Sequence, residues 1–101
     1  MGFSIREGKE TCVTLASKLD FSMAPLLMDA LTALKGKDVE AIVFACKELT
    51  YISSAGIRAI IYAQQKIAPG MTICMEDVND DIKDVLDMCG LIDFIEIRET
   101  E

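Results

Sequence analysis

Val39-Glu40-Ala41-Ile42-Val43-Phe44-Ala45 is a nearly continuous apolar run containing Val and Ile. That is the pattern of a central strand covered on both faces rather than of a strand with one wet side. The chain on either side of it is helical in period. Downstream, after a loop from Cys46 to Ile52, Ile57, Ile60, Ile61, Gln64 and Ile67 fall on one stripe while Arg58, Gln65 and Lys66 face outwards, and Pro69-Gly70 breaks the pattern. Upstream, Leu27, Ala30, Leu31 and Leu34 recur at helical spacing. Ser22 can cap this helix, Pro25 falls in its first turn, where a missing N–H costs little, and Gly36 stops it. A buried strand between two amphipathic helices predicts a parallel sheet built with right-handed crossovers.

Towards the N-terminus, Phe3-Ser4-Ile5-Arg6 alternates apolar and polar, Glu7-Gly8-Lys9 reads as a turn, and Thr11 to Ala16 is a second strand with Val13 and Leu15 on one face. So short a connection makes the two an antiparallel pair. Ser17 to Phe21 is expected as a polar loop leading into the first helix. Towards the C-terminus, Met71 to Met75 is another short strand, and Asn79, Asp80 and Asp81 open a third helix with the anionic first turn that the helix dipole favours. Its stripe is Ile82, Val85, Leu86 and Cys89, and Gly90 ends it. Phe94-Ile95-Glu96-Ile97 reads as the last strand, ahead of the charged tail Arg98 to Glu101. The expectation is a single α/β domain over residues 1–101, a mixed β-sheet with an N-terminal antiparallel hairpin and three helices in the order β-β-α-β-α-β-α-β.

Composition narrows the function. At 101 residues, 51% hydrophobic and 27% charged, the chain supports one core and is not a disordered one. Its 17 acidic and 10 basic residues give −7 at pH 7, and such a surface argues against nucleic acid or anionic membrane as a partner. There is no histidine, which removes Ser–His and Cys–His catalysis and the commonest metal ligand. A Lys, Asp or Tyr base is the enzymatic chemistry left, and the chain is not expected to be an enzyme. Cys12, Cys46, Cys74 and Cys89 form no C-x-x-C pair, and their apolar surroundings predict buried free thiols in a reducing cytosol. No apolar run matches a signal peptide or the ~20 residues that span a bilayer, which predicts a cytoplasmic protein without membrane insertion.

Several motifs fail on inspection. Asp77-Val78-Asn79-Asp80-Asp81 opens like a calcium loop, but Ile82 stands where the sharp-turn glycine belongs and Met88 where the bidentate glutamate belongs. Helix-start chemistry explains those carboxylates, and no metal is expected. Neither common phosphate-cradling glycine loop occurs, so no nucleotide cofactor is expected. Gly2 lacks the Ser or Thr that myristoylation requires, since that position is Arg6. Met23 and Met28 on the first helix suit core filling or an adaptable contact surface, the former being the safer reading of Met23. The informative stretch is Leu49-Thr50-Tyr51-Ile52-Ser53-Ser54-Ala55-Gly56-Ile57-Arg58, where two serines stand directly before a helix. A serine there caps free N–H groups; a serine beside a positive helix end also suits a phosphoryl group.

That stretch resembles the signature of STAS domains, and of the bacterial anti-sigma factor antagonists in particular. Ser17-Lys18-Leu19-Asp20-Phe21-Ser22-Met23-Ala24-Pro25 looks like the family's G-x-L-D loop before a polar-capped helix. Cys89-Gly90-Leu91-Ile92-Asp93-Phe94 looks like its S-G-L-x-x-x-F ending, with Cys89 in place of a small polar residue. The resemblance implies a partner-switching protein in transcription regulation. Unmodified, such a protein binds a serine-kinase anti-sigma factor; phosphorylation of a serine at the start of the second helix breaks the complex, and a PP2C-type phosphatase restores it. Many members read D-S-S-G. Aligned on Gly56, Ala55 takes the place of the usual phosphoserine, which moves the expected modification to Ser54, with Ser53 as second choice and loss of the switch as a third outcome. Asp20 and Ser22 are carried over as lining the same partner-binding face, with Tyr51, Ala55, Gly56 and Arg58 as neighbours. The other reading is a STAS subunit of a lipid-transport ABC system, in which both serines only cap a helix. An exposed sheet edge near Phe3 would permit a homodimer.

Overall fold

Within residues 3–67 and 72–99, which the computed structural model describes, five strands lie side by side in chain order. They are β1 (Phe3–Arg6), β2 (Glu10–Leu19), β3 (Ala41–Ile52), β4 (Thr72–Glu76) and β5 (Glu96–Arg98), joined as β1-β2-β3-β4-β5. The first pair is antiparallel and the rest parallel, as the hairpin and the crossovers require. Helices α1 (Ala24–Thr32), α2 (Ser54–Tyr62) and α3 (Asp80–Met88) fill the connections. A π-helical turn (Ala63–Ile67) extends α2, and a 3-10 turn (Leu91–Asp93) precedes β5. The Pro69-Gly70 break, the Met71 strand start, Gly2 and the end of the tail lie outside the described residues.

Each right-handed crossover moves one strand along the sheet in the same direction, which stacks all three helices on one face. Leu27, Leu31 and Leu34, then Ile57, Ile60, Ala63 and Ile67, then Ile82 and Leu86 join Val13, Leu15, Ile42, Phe44, Ile73 and Met75 in one buried cluster. Burying each large side chain of this set is worth about 1.5–3 kcal/mol. Met23 packs half-buried against the cluster, in keeping with core filling.

The apolar run over 39–45 is covered differently from the expectation. Ile42 and Phe44 point into the helical layer, whereas Val43 is buried outside that cluster. Val43 is flanked in register by Cys12 and Cys74. On this second face the cover comes from side chains, not helices. Arg98 donates from Nε to Cys74 Sγ at 2.8 Å and stands 3.7 Å from both Glu76 and Glu96.

The loops expected over 17–21 and 46–52 are corrected. β2 runs on through Leu19 and β3 through Ile52. The pairing slips between Thr14 and Ala16 and again between Ser17 and Lys18, and each slip puts an extra residue on β3. An extra residue reverses which side faces the core, so Cys46, Leu49 and Ile52 are buried with two exposed residues between each. Thr50 Oγ1 donates to Ser17 O at 2.9 Å across the irregular pair, and Ser17 has φ of 59°.

Three local expectations also change. No side chain caps α1: Met23, not Ser22, holds its N-cap position, and the Asp20 carboxylate orders the turn before it, its Oδ1 accepting from Ser22 N (3.1 Å), Ser22 Oγ (2.8 Å) and Met23 N (3.1 Å). Cys46 and Cys74 are buried, but Cys12 is half-buried and Cys89 exposed, because α3 ends at Met88 and Cys89 begins the turn through Gly90. Burial pushes the Cys46 thiol up to about 12. Finally, the last strand begins at Glu96, and Phe94 is 67% exposed while Leu91 and Ile95 take the core positions. Asn79 caps α3 as its residue type predicts, its Oδ1 accepting from Ile82 N at 2.8 Å. Gly90, with φ of 73°, follows the C-cap of α3 directly, whereas α1 ends at Thr32 with Ala33 as its C-cap, and Gly36, expected to stop it, lies further along the turn with φ of 81°.

Candidate functional site

The serines of the central motif stand where the carboxyl ends of β2 and β3 meet the start of α2. Ser53 N donates to Leu19 O at 2.9 Å, so the last residue of β2 holds the entry to the helix. Ser53 is extended, with φ −90° and ψ 172°, and its Oγ accepts from Gly56 N at 3.1 Å. It is 5% accessible. Ser54, the next residue, is the first of α2 and is exposed. One hydroxyl is therefore spent on capping, and the other faces solvent at the positive end of the helix.

Gly56 explains how α2 approaches the sheet. A Cβ there would lie 2.7 Å from Leu19 O, 2.8 Å from Leu19 Cγ and 2.9 Å from Ile52 Cγ1. Only glycine lets the helix start sit this close to the ends of β2 and β3. Gly56, expected on the partner-binding face, is buried at this close approach. Ala55 is half-buried against the core.

Asp20 and Ser22 are brought together by their hydrogen bond, one residue beyond the Leu19 that grips Ser53. The Ser22 hydroxyl and then the Met23 N–H hold the Asp20 carboxyl below its usual 3.8. Both residues line an open groove of about 600 Å3 with Ser17, Lys18, Met23 and Thr50. Tyr51 is 48% exposed and pairs in register with Lys18. Arg58 is exposed one turn beyond Ser54, at the i+4 position that faces the same side of the helix. Lys18, Thr50 and Phe21, the last 69% exposed between Asp20 and Ser22, are neighbours that the sequence reading passed over. The signal for Phe21 was an aromatic residue in a stretch read as polar loop.

At this end of the sheet an exposed hydroxyl, Ser54, and an exposed guanidinium, Arg58, thus stand on one side of α2 beside the Asp20 groove. Among the described residues, no group of His, Cys, Asp or Glu is placed to hold a metal ion, and no helix is long and apolar enough to cross a membrane.

Comparison with known proteins agrees with this architecture. A family model, the STAS domain, matches residues 4–101. An anti-sigma factor antagonist from Mycobacterium paratuberculosis has a similar structure, with a TM-score of 0.82 at 14% identity over 95% of this chain and 83% of that one. The phosphorylated form of the Bacillus cell fate determinant SpoIIAA gives 0.75 at 15% identity, over 94% and 89%. A sulfate transporter family protein from Wolinella succinogenes gives 0.77 at 14% identity, over 94% and 80%. At these identities the likeness is one of fold. A search of curated proteins finds no match. The family match over nearly the whole sequence, joined to the strand order and the serine-bearing start of α2, establishes that the chain belongs to the STAS domain family.

Proposed function

We propose that this chain is an anti-sigma factor antagonist, a single STAS domain acting in the cytoplasm as a phosphorylation-controlled switch. Unmodified, it binds a serine-kinase anti-sigma factor. Phosphorylation of Ser54 releases it, and a PP2C-type phosphatase resets it. The observation that carries this reading is the division of labour between two adjacent hydroxyls: Ser53 is a buried cap, and Ser54 is exposed on the first turn. Ser53 is accordingly set aside as the modified residue. Solved neighbours, one described as an anti-sigma factor antagonist and another as a cell fate determinant in its phosphorylated form, support the same role.

The physics of such a switch is local. A phosphate adds about 1.5–2 negative charges at pH 7. At Ser54 it gains from the helix dipole and from Arg58 one turn on, so the modified state is tolerated by the chain itself. The same charge is not tolerated by a partner that desolvates or charge-matches the unmodified face. Asp20, Ser22, Tyr51 and Arg58 are the contact residues of that face in this reading, with Ala55 between them.

The test is phosphosite mapping of the protein from its native host, joined to binding measurements with the kinase. A phosphate on Ser54 is expected, Ser54→Ala should bind the kinase as wild type does, and Ser54→Asp should bind about tenfold or more weakly, the scale of 1.4 kcal/mol. Equal affinities for the two variants would overturn the switch. Co-purification with a membrane ATPase and unmodified serines at near-complete coverage would favour a transport subunit.

A further inference from the structure

A second concavity lies at the opposite end of α2 from Ser54. It is a crevice of about 360 Å3 between the end of α2 with its π-helical turn and the segment that leaves α3. Ile61, Gln64 and Gln65 form one wall, and Cys89, Leu91 and Phe94 the other, with Gly90 at its base in the left-handed conformation. Each wall includes irregular backbone, Gln64 and Gln65 in the π-helical turn and Leu91 in the 3-10 turn, and π-helical turns concentrate at functional sites. The Cys89-to-Phe94 motif that the switch leaves unused supplies one of them.

The lining has a chemical character. Among the described residues it includes no charged side chain, in a chain that is 27% charged and carries a net −7. An anion would find no cation in the wall and would meet a repelling field; a cation would find no carboxylate. Ile61, Leu91 and Phe94 offer apolar surface, and the ring of Phe94 is 67% exposed until something covers it. Gln64 and Gln65 each offer an amide that both donates and accepts. The volume falls within the roughly 300–1,000 Å3 of small-molecule sites.

We propose that this crevice binds an uncharged, largely apolar small molecule, held between Ile61, Leu91 and Phe94, with Gln64 or Gln65 meeting its polar group. The site is separate from the Ser54 face and does not depend on the switch.

Cys89 is a built-in reporter, because it is the exposed thiol while Cys46 and Cys74 are buried and Cys12 is half-buried. The test uses the full chain with N-phenyl-1-naphthylamine, an uncharged aromatic amine. Its fluorescence should rise saturably. At a probe concentration about four times Kd, alkylation of Cys89 by N-ethylmaleimide should slow about fivefold, following the 1 + [L]/Kd factor. Gln64→Trp, which fills the crevice from the α2 side, should abolish both effects. Prior alkylation of Cys89 in the folded wild type with a bulky maleimide should abolish the fluorescence rise, an arm that needs no variant to fold. Ser54→Asp should bind the probe as wild type does, whatever becomes of the switch. A non-saturable signal, an unprotected Cys89, or unchanged binding by the pre-alkylated protein would overturn the proposal. Equal protection by the anionic 1-anilinonaphthalene-8-sulfonate would overturn the neutral-ligand assignment, and protection by a protein partner without any by the probe would overturn the small-molecule one.

Discussion

The Ser53 hydroxyl accepts from Gly56 N and is almost out of reach of solvent, so Ser53→Ala removes a helix cap. It should cost about 1 kcal/mol of stability by chemical denaturation, the usual scale for a lost N-cap, while Ser54→Ala should stay within about 0.5 kcal/mol. Comparable losses for the two would contradict the division between cap and exposed hydroxyl. Asp20 supplies a pH dependence. Its folded pKa is depressed by hydrogen bonds from Ser22 and Met23, so its contribution is present above the unfolded value and is lost as pH falls through the lower folded one. The amide signals of Ser22 and Met23 should therefore titrate together below pH 3.8, and Asp20→Asn should remove that titration. That Asp20 would order the turn before α1 while Ser22 caps nothing was not legible in advance. Both residue types can cap, and the outcome depends on a carboxylate reaching forward to donors at positions the backbone sets only once β2 has been extended to Leu19.

The junction of α2 with the sheet rests on Gly56. In Gly56→Ala the new methyl meets the Leu19 carbonyl, a backbone atom that cannot rotate away, so the helix must back off from β2 and β3. A loss of about 1–3 kcal/mol, the scale of overpacking, is expected in denaturant unfolding, with weaker kinase binding because the Ser54 turn moves with the helix. An unchanged midpoint would show that the helix start has room to spare. Element types and their order were readable because the stripes of α1 and α3 and the alternation of β1 keep strict periods. The ends of β2 and β3 were not. Their two slips in register interrupt the period of two, and the triplet spacing of Cys46, Leu49 and Ile52 looks like a loop until the pairing with β2 is known. Of the site, the serine motif was legible as sequence; its split into a buried and an exposed hydroxyl came only with the packing against Leu19.

Taken whole, the protein carries seven more negative than positive charges, and among the described residues most ion pairs join exposed side chains, such as Lys37 with Glu7 at 2.8 Å. Exposed pairs contribute little, so screening removes more repulsion than attraction. Raising salt from about 0.01 to 0.15 M, which shortens the Debye length from about 30 to 8 Å, should raise the thermal midpoint. A falling midpoint would mean that the surface pairs matter more than the net charge. The order of the sheet has a further consequence, for assembly. Because β1 to β5 lie in the sequence in which they are synthesised, no strand has to be inserted between two that are already paired. The parallel pairings still join residues far apart in sequence, Glu10 with Ala41 and Ala41 with Thr72, but each attaches a strand only to the one made just before it. The domain can grow by adding each helix and strand to a finished edge, and the start of α2, with its exposed serine, rests only on the ends of β2 and β3 and needs neither β4 nor β5 in place.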